Sequence, residues 1–194
     1  MHNDESHLQA VLGKAPLRSI NRYVTRFIPA RHGTTAVNAG LTTATGGRYN
    51  PPGVPALYTS LSRAVALAES TRLITDDDPL EPYLMLSLAV RSKRILYLTE
   101  ATLLRQLRTT RREITAPLAD PSVGTAPTQI IGRLAHTAGT IDGLLVFSAR
   151  LPREINLVVF PDHLGMDYQL YDPDHVLPAV HPDIAAALMA LMEI

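Results

Sequence analysis

The pattern of apolar and polar positions along the chain predicts a series of short strands and amphipathic helices. Clusters of β-branched and aromatic residues predict strands at 23–28, 57–60, 83–90, 94–98, 143–149 and 155–160, with a weaker strand in YQLYD. Apolar residues at helical spacing predict helices at 63–74 after the N-cap Ser62, from the N-cap Thr99, at 127–139 and from Pro182 onward. Leu8, Val11 and Leu12 predict a short leading helix or a loose arm.

The segment 29–56 separates the first two predicted strands. It is rich in Gly, Thr, Asn and Pro, and Pro51, Pro52 and Pro55 each remove a backbone donor, so a long structured loop without a regular helix is predicted. Such loops in compact domains tend to be functional. Because no repeat or linker divides the chain, the pattern predicts one α+β domain with a mixed or antiparallel sheet core at 21–194, preceded by an N-terminal extension at 1–20.

Composition narrows the classes of partner. Eighteen Lys and Arg residues balance 18 Asp and Glu residues, so no overall field draws the chain to nucleic acid or to an anionic membrane. The absence of cysteine excludes disulfides and thiolate chemistry. The start of the sequence does not resemble a secretory signal, and no apolar run is long enough to span a bilayer, so a cytoplasmic protein is expected.

The segment TGGRYNPPGVPALYTSLSRAVALAES, which ends at Ser70, places an arginine, a tyrosine and a glutamate on successive elements. The paired glycines let the backbone approach a ligand, and Arg48 offers a fork that matches a phosphate. Tyr58 adds a flat ring with a polar tip. Glu69 follows on a helix face made of small apolar residues, which is a setting of low polarity for a carboxylate.

These motifs resemble the RES domain, the toxin domain of RES-Xre toxin-antitoxin systems. The resemblance covers roughly residues 22–165: the loop GGRYNPPG, the strand ALYTS, the glutamate helix AVALAE, and the strand GLLVFSAR followed by INLVVF, all in the family's order. Tyr49 stands where the family usually has Trp, which conserves a stacking surface. The resemblance implies a fold similar to ADP-ribosyltransferases.

The resemblance also implies an active cleft formed by Arg48, Tyr58, Glu69 and Ser148, with Arg26, Tyr49 and Asn50 as further NAD-binding residues. NAD is then the substrate, and the implied reaction is hydrolysis or phosphorolysis of the nicotinamide–ribose bond, which arrests growth. Transfer of ADP-ribose to a host protein is the alternative within enzymes, and a catalytically silent NAD-sensing or binding module is the alternative outside them. The implied partner is an Xre-type antitoxin that covers the cleft in a hetero-oligomer and binds DNA in place of this chain.

Cleavage of the nicotinamide–ribose bond requires these residue types independently of the resemblance. Loss of nicotinamide leaves positive charge on the ribose, which a fixed carboxylate such as Glu69 stabilises. Arg48, with Arg26 as a second candidate, would orient the diphosphate. Tyr58 would stack on nicotinamide or bind the ribose, and Ser148 would position the amide or the glutamate. Neutral nicotinamide leaves readily, so the reaction requires no metal.

Each residue also has a structural interpretation. Glu69 alone would be a solvated helix carboxylate, Arg48 a surface loop residue, Tyr58 a half-buried strand tyrosine and Ser148 a strand-end serine bonded to backbone. The seven histidines contain no HExxH motif, and DPDH at 172–175 is typical of a turn, so no metal is predicted.

A basic stretch lies on and after the helix predicted from Thr99. It predicts a solvated face, with an acidic antitoxin segment or nucleic acid as less favoured partners, and comprises Arg105, Arg108, Arg111 and Arg112.

Overall fold

The computed structural model describes residues 4–29, 39–70, 83–118, 124–151, 153–164, 168–171 and 179–180. The helices are α1 (Glu5–Leu12), α2 (Gly40–Thr45), α3 (Arg63–Ser70), α4 (Ala101–Gln106), α5 (Arg111–Thr115), α6 (Pro127–Thr137) and α7 (Pro161–Leu164). The strands are β1 (Leu17–Pro29), β2 (Leu57–Ser60), β3 (Tyr83–Tyr97), β4 (Gly143–Phe147), β5 (Ile155–Val159), β6 (Tyr168–Tyr171) and β7 (Ala179–Val180).

The strand pairings of five strands close into a ring. The long strands β1 and β3 pair antiparallel, β2 joins β1 to β5, and β4 joins β5 back to β3. The β3–β4 pair is parallel, whereas the other described pairs are antiparallel, and β6 and β7 add to β3 outside the ring. This mixed sheet with its flanking helices confirms the predicted single α+β domain.

Two apolar clusters lie on the two faces of the ring. Side chains enclosed by the strands include Val24, Leu57, Leu88, Leu145 and Leu157. A second cluster fills the space between the outer face and helices α1, α4 and α6, and includes Leu8, Leu107, Ile131, Val158 and Phe160. Because neighbouring strand residues point to opposite faces, Leu157 belongs to the first cluster and Val158 to the second.

The predicted short strands are confirmed, but several of their bounds differ. The strand predicted at 143–149 ends at Phe147, and the strand predicted at 155–160 ends at Val159. Two further differences are larger. The strand predicted at 23–28 begins earlier, at Leu17. The strands predicted at 83–90 and 94–98 form one continuous strand, β3. The polar residues between them do not break the strand because they keep its alternation: Arg91 and Lys93 are exposed, whereas Ser92 is buried and donates to Asp142 Oδ2 at 2.7 Å.

The prediction that 29–56 contains no regular helix is wrong at α2, which ends before the prolines. The hydroxyl of Thr43 donates to the Ala39 carbonyl at the start of this helix, at 2.8 Å. The prediction that Thr99 is an N-cap is also wrong, because Glu100 occupies that position ahead of α4. Two parts of the prediction lie outside the described residues: positions 71–74 of the helix predicted at 63–74, and the helix predicted from Pro182.

The predicted leading helix is confirmed as α1. It buries Leu8 and Leu12 in the outer cluster, and Glu5 pairs with Arg133 of α6 at 2.8 Å. The boundary predicted between residues 20 and 21 falls within β1. None of the helices described above combines the length and the apolar character that a bilayer crossing needs.

Candidate active site

Helix α3 presents Glu69 at its C-terminal end. The helix begins after Ser62, whose hydroxyl oxygen accepts from the Val65 N–H at 3.3 Å, as the predicted N-cap requires. Apolar side chains of α3 pack on β1, and the hydroxyl of Ser70 donates to the Phe27 carbonyl at 3.2 Å. The end of the helix that carries Glu69 is therefore tied to the sheet.

Three donors hold one oxygen of the Glu69 carboxylate. Oε1 accepts from the Ser148 hydroxyl at 2.6 Å, the Ala149 N–H at 3.1 Å and the Asn156 side-chain amide at 2.9 Å. Oε2 has no hydrogen bond to the residues that the structure describes. The carboxylate is thus fixed in position through Oε1.

Ser148 lies in the turn after β4 and is buried, with 3% of its surface exposed. Its oxygen accepts from the N–H groups of Arg150 and Leu151, at 3.1 and 3.0 Å. The hydroxyl proton is therefore directed at Glu69. Of the two roles predicted for Ser148, this geometry corresponds to positioning of the glutamate.

Asn156 is a member of the site that sequence reasoning did not find. Its Oδ1 accepts from the Ser60 hydroxyl at 2.7 Å, and the two residues are partners in the β2–β5 register. This bond orients the amide so that its nitrogen faces Glu69. The available signal was an asparagine inside the otherwise apolar run INLVVF.

The GGRYN loop is held together by Tyr58. The Tyr58 hydroxyl accepts from the Tyr49 N–H at 2.8 Å and donates to Asn50 Oδ1 at 2.7 Å. The Asn50 amide in turn donates to the carbonyls of Thr42 and Val54, at 2.7 and 2.8 Å. Gly47 must lack a side chain, because a Cβ there would lie 2.6 Å from the Tyr58 hydroxyl.

Helix α6 supports this loop from the other side. The Gln129 side chain donates to the Gly47 carbonyl at 2.9 Å. A Cβ on Gly132 would lie 1.7 Å from the Tyr49 carbonyl oxygen, so only glycine permits the close approach of helix and loop. Gly132 was not singled out from the sequence, where it is one glycine in an amphipathic helix.

Arg48 extends from the loop to α5. Its Nη1 donates to the carbonyls of Ile114 and Ala116, whereas Nε and Nη2 have no hydrogen bond to the described residues. At the other end of α5, the Arg111 guanidinium lies over the Phe147 ring, 4.2 Å from its centroid, and Phe147 precedes Ser148. Helix α5, which spans roughly 8 Å, therefore lies between the contacts of Arg48 and the contact with Phe147.

Electrostatics also links Arg48 with Glu69. Tyr49 is almost wholly buried, with 1% exposed, and burial raises the pKa of its hydroxyl well above the usual range. Beyond burial, the positive charge of Arg48 lowers this pKa and the negative charge of Glu69 raises it. Both charged groups are therefore close enough to Tyr49 to act on its hydroxyl.

Arg26 occupies a different face. It shares its side of β1 with Val24, which belongs to the cluster enclosed by the strands, whereas Asn156 lies on the outer side of β5. Burial lowers the pKa of the Arg26 guanidinium to about 10. The structure thus brings Glu69 and Ser148 into contact and joins the loop residues Arg48, Tyr49, Asn50 and Tyr58. Arg26 lies on the side of β1 opposite to Phe27, which packs against α3. Contact of any of these residues with NAD stays a prediction.

The four arginines of the basic stretch are exposed, as predicted for a solvated face. The cation–π contact of Arg111 with Phe147 adds a structural role that the sequence pattern did not indicate.

The ring of five strands and the Glu69 carboxylate held by three donors define the class of protein. It is an α+β domain with a candidate active site where α3 meets the end of β4 and the start of β5. The sequence matches the RES domain over residues 24–178, and the chain belongs to this family. No curated protein matches the sequence. The fold is similar to that in a crystal structure of the M. tuberculosis MbcT–MbcA toxin–antitoxin complex, with a TM-score of 0.76 and 20% identity over 95% of this chain and 97% of that chain.

Proposed function

We propose that this chain is the toxin of a toxin–antitoxin pair and that it consumes NAD by cleaving the nicotinamide–ribose bond. The observation that carries the proposal is the Glu69 carboxylate, whose Oε1 is held by three donors while Oε2 makes no hydrogen bond to the described residues. Membership of the RES family and a fold similar to that of a toxin–antitoxin complex support the assignment as a toxin.

The proposed reaction begins as the bond between the ribose C1′ and the nicotinamide nitrogen breaks. The electron pair goes to nicotinamide, which leaves as a neutral molecule, and positive charge develops on the ribose. Glu69 lowers the barrier because a fixed negative charge beside C1′ needs no reorganisation as that charge develops. Water or phosphate then attacks C1′ and loses a proton. Ser148 and Asn156 are positioning residues that act through Glu69.

In the same proposal, Arg48 binds the diphosphate. Two backbone carbonyls hold its Nη1, so the free edge of the guanidinium is presented in one orientation, and a forked cation suits diphosphate oxygens. Tyr49, Asn50 and Tyr58 give the loop the shape in which Arg48 is held.

The partner that we propose is an Xre-type antitoxin that covers the cleft in a hetero-oligomer. DNA binding then belongs to the antitoxin, and the pair works in the cytoplasm, where NAD is available. The exposed arginines on and after α4 give an acidic segment of such a partner a surface to contact.

The proposal is tested by incubating purified protein with NAD, with and without phosphate, and measuring nicotinamide and the ADP-ribose product. Wild type and Glu5→Gln are expected to release nicotinamide, and Glu69→Gln is expected to be reduced by at least about a hundredfold. Glu5 is the matched control because it is a helix glutamate that pairs with Arg133 away from the site.

The products distinguish the alternatives. ADP-ribose alone indicates hydrolysis, its phosphorylated form indicates phosphorolysis, and a labelled protein band from labelled NAD and cell lysate indicates transfer to a host protein. Binding of NAD without release of nicotinamide under any condition would contradict cleavage and favour a sensing module.

A further inference from the structure

Three side chains of the kind that bind metal ions converge at the end of β5 remote from Glu69. His136 lies near the end of α6, and Asp162 and His163 belong to α7, which follows β5 directly. One ligand atom of each residue lies within 4.8 Å of the other two. His136 and Asp162 are 26 positions apart, so no local motif marks the group in the sequence.

The hydrogen bond of one of the two histidines leaves its second ring nitrogen available for coordination. Nδ1 of His163 lies 2.7 Å from the Ile141 carbonyl, and a carbonyl can only accept, so Nδ1 carries the proton and Nε2 of the neutral ring has a free lone pair. A ring N–H bonded to a backbone carbonyl is the usual second interaction of a metal-binding histidine. Nε2 of His136 lies 2.8 Å from Asp162 Oδ2.

Aromatic packing sets the orientation of the two rings. The imidazoles of His136 and His163 stack with centroids 4.5 Å apart and an angle of 18° between their planes. Phe160 contacts both rings edge-on, at 5.3 and 5.7 Å. A metal ion binds in the plane of an imidazole ring, and the two stacked planes are nearly parallel, so the His136 ring must turn out of the stack for both nitrogens to reach one ion. The Asp162 side chain is exposed and is free to adjust.

We propose that His136, Asp162 and His163 bind one divalent transition metal ion of the Zn²⁺ class. Two imidazole nitrogens and one carboxylate oxygen form a donor set that suits Zn²⁺ and related ions, with a fourth position for water. In tetrahedral geometry, metal–ligand bonds of about 2.1 Å place ligand atoms about 3.4 Å apart, so two atoms at the 4.8 Å limit approach by about 0.7 Å each. The metal replaces the hydrogen bond between His136 and Asp162.

This site is separate from the proposed NAD chemistry. Asn156 and Phe160 are four residues apart along β5 and its continuation, a distance of about 13 Å. The metal would join the end of α6 to α7, and α6 is the helix that supports the GGRYN loop through Gln129 and Gly132. Its expected effect is a more stable fold, and this proposal replaces the prediction that the chain binds no metal.

The experiment uses full-length protein without a histidine tag, treated with chelator and then titrated with Zn²⁺ by calorimetry and with Co²⁺ by visible absorption. One ion per chain and the intense bands of low-coordinate Co²⁺ are expected. At a Zn²⁺ concentration a hundredfold above Kd, the unfolding temperature is expected to rise by about 5–10 °C.

Variants assign the ion to these residues. His136→Gln, Asp162→Asn and His163→Gln are each expected to weaken Zn²⁺ binding at least tenfold, and His7→Gln, a histidine on α1 that bonds to the Gln106 carbonyl, is expected to bind like wild type. Asp162→Asn changes only the charge of one exposed side chain, so this variant should stay folded. It therefore tests the proposal even where a histidine variant unfolds. Absence of binding in wild type, or unchanged binding in Asp162→Asn, overturns the proposal, as does an equal loss in His7→Gln.

Discussion

Replacement of Asn156 by alanine tests how much the donors around Glu69 contribute to catalysis. The substitution removes the 2.9 Å hydrogen bond to Oε1 and the hydrogen bond that Asn156 accepts from Ser60, and it leaves Ser148 and the Ala149 N–H in place. A hydrogen bond to a charged group contributes about 1.5–3 kcal/mol. If this contribution is needed to hold Glu69 in the transition state, kcat for nicotinamide release falls roughly 10- to 100-fold. KM for NAD should change little, because Asn156 does not belong to the loop that carries Arg48.

The control for this variant is Thr59→Val. Thr59 precedes Ser60 on β2 and its hydroxyl donates to the Leu157 carbonyl at 2.8 Å, so the control also loses one hydrogen bond between β2 and β5 but on the other face. Nicotinamide release is measured for both variants at a temperature where circular dichroism shows that both are folded. A kcat for Asn156→Ala within twofold of wild type, or an equal loss in Thr59→Val, would refute the reasoning.

Asn156→Asp tests the same contact through the pH dependence of nicotinamide release. The aspartate still accepts from Ser60, but it places a second acceptor oxygen against Glu69 Oε1. Two carboxylates in contact hold a proton to higher pH than either would alone, so the active form appears only as the pH rises. The acidic limb of the pH–rate profile should therefore move to higher pH than in Asn156→Ala. Superimposable profiles for the two variants would contradict this.

Three further substitutions test the loop and its support. Gly132→Ala places a Cβ 1.7 Å from the Tyr49 carbonyl oxygen and should lower the free energy of unfolding by about 1–3 kcal/mol in urea titrations, whereas Gly13→Ala, with a nearest contact of 3.4 Å, should change it little. Tyr58→Phe removes the hydroxyl that accepts from the Tyr49 N–H and donates to Asn50 Oδ1, so the free energy of unfolding in the same titration should fall by about 1–3 kcal/mol. Arg48→Lys keeps the charge but not the fork, so KM for NAD should rise about tenfold with little change in kcat, and an unchanged KM would remove Arg48 from the diphosphate site.

The sequence predicted the parts of the fold that depend on local pattern. Strand β2 occupies the predicted positions, and α3 begins after the predicted N-cap, because both are set by short runs of side chains and a cap. The two predicted strands within β3 were separated by polar residues, but Ser92 is buried against Asp142, a partner 50 positions away. Long-range pairing of this kind leaves no local signal.

In the candidate site too, residues marked by a local motif were predicted, and residues whose role depends on long-range packing were missed. Glu69 and Ser148 were found through the family's motifs, and the structure adds the contact between them at 2.6 Å. Asn156 was missed because its role depends on the β2–β5 register that places it opposite Ser60. Gly132 was missed because its importance arises only when α6 lies against the loop. Both depend on tertiary packing that a single sequence does not reveal.

The most direct test of the proposed NAD cleft is a crystal structure of the Glu69→Gln variant soaked with NAD. The proposal predicts that the ribose C1′ bonded to nicotinamide lies beside the side chain of residue 69 and that the diphosphate lies against Arg48. NAD bound elsewhere, or bound with its diphosphate and its nicotinamide ribose remote from these two side chains, would contradict the proposal.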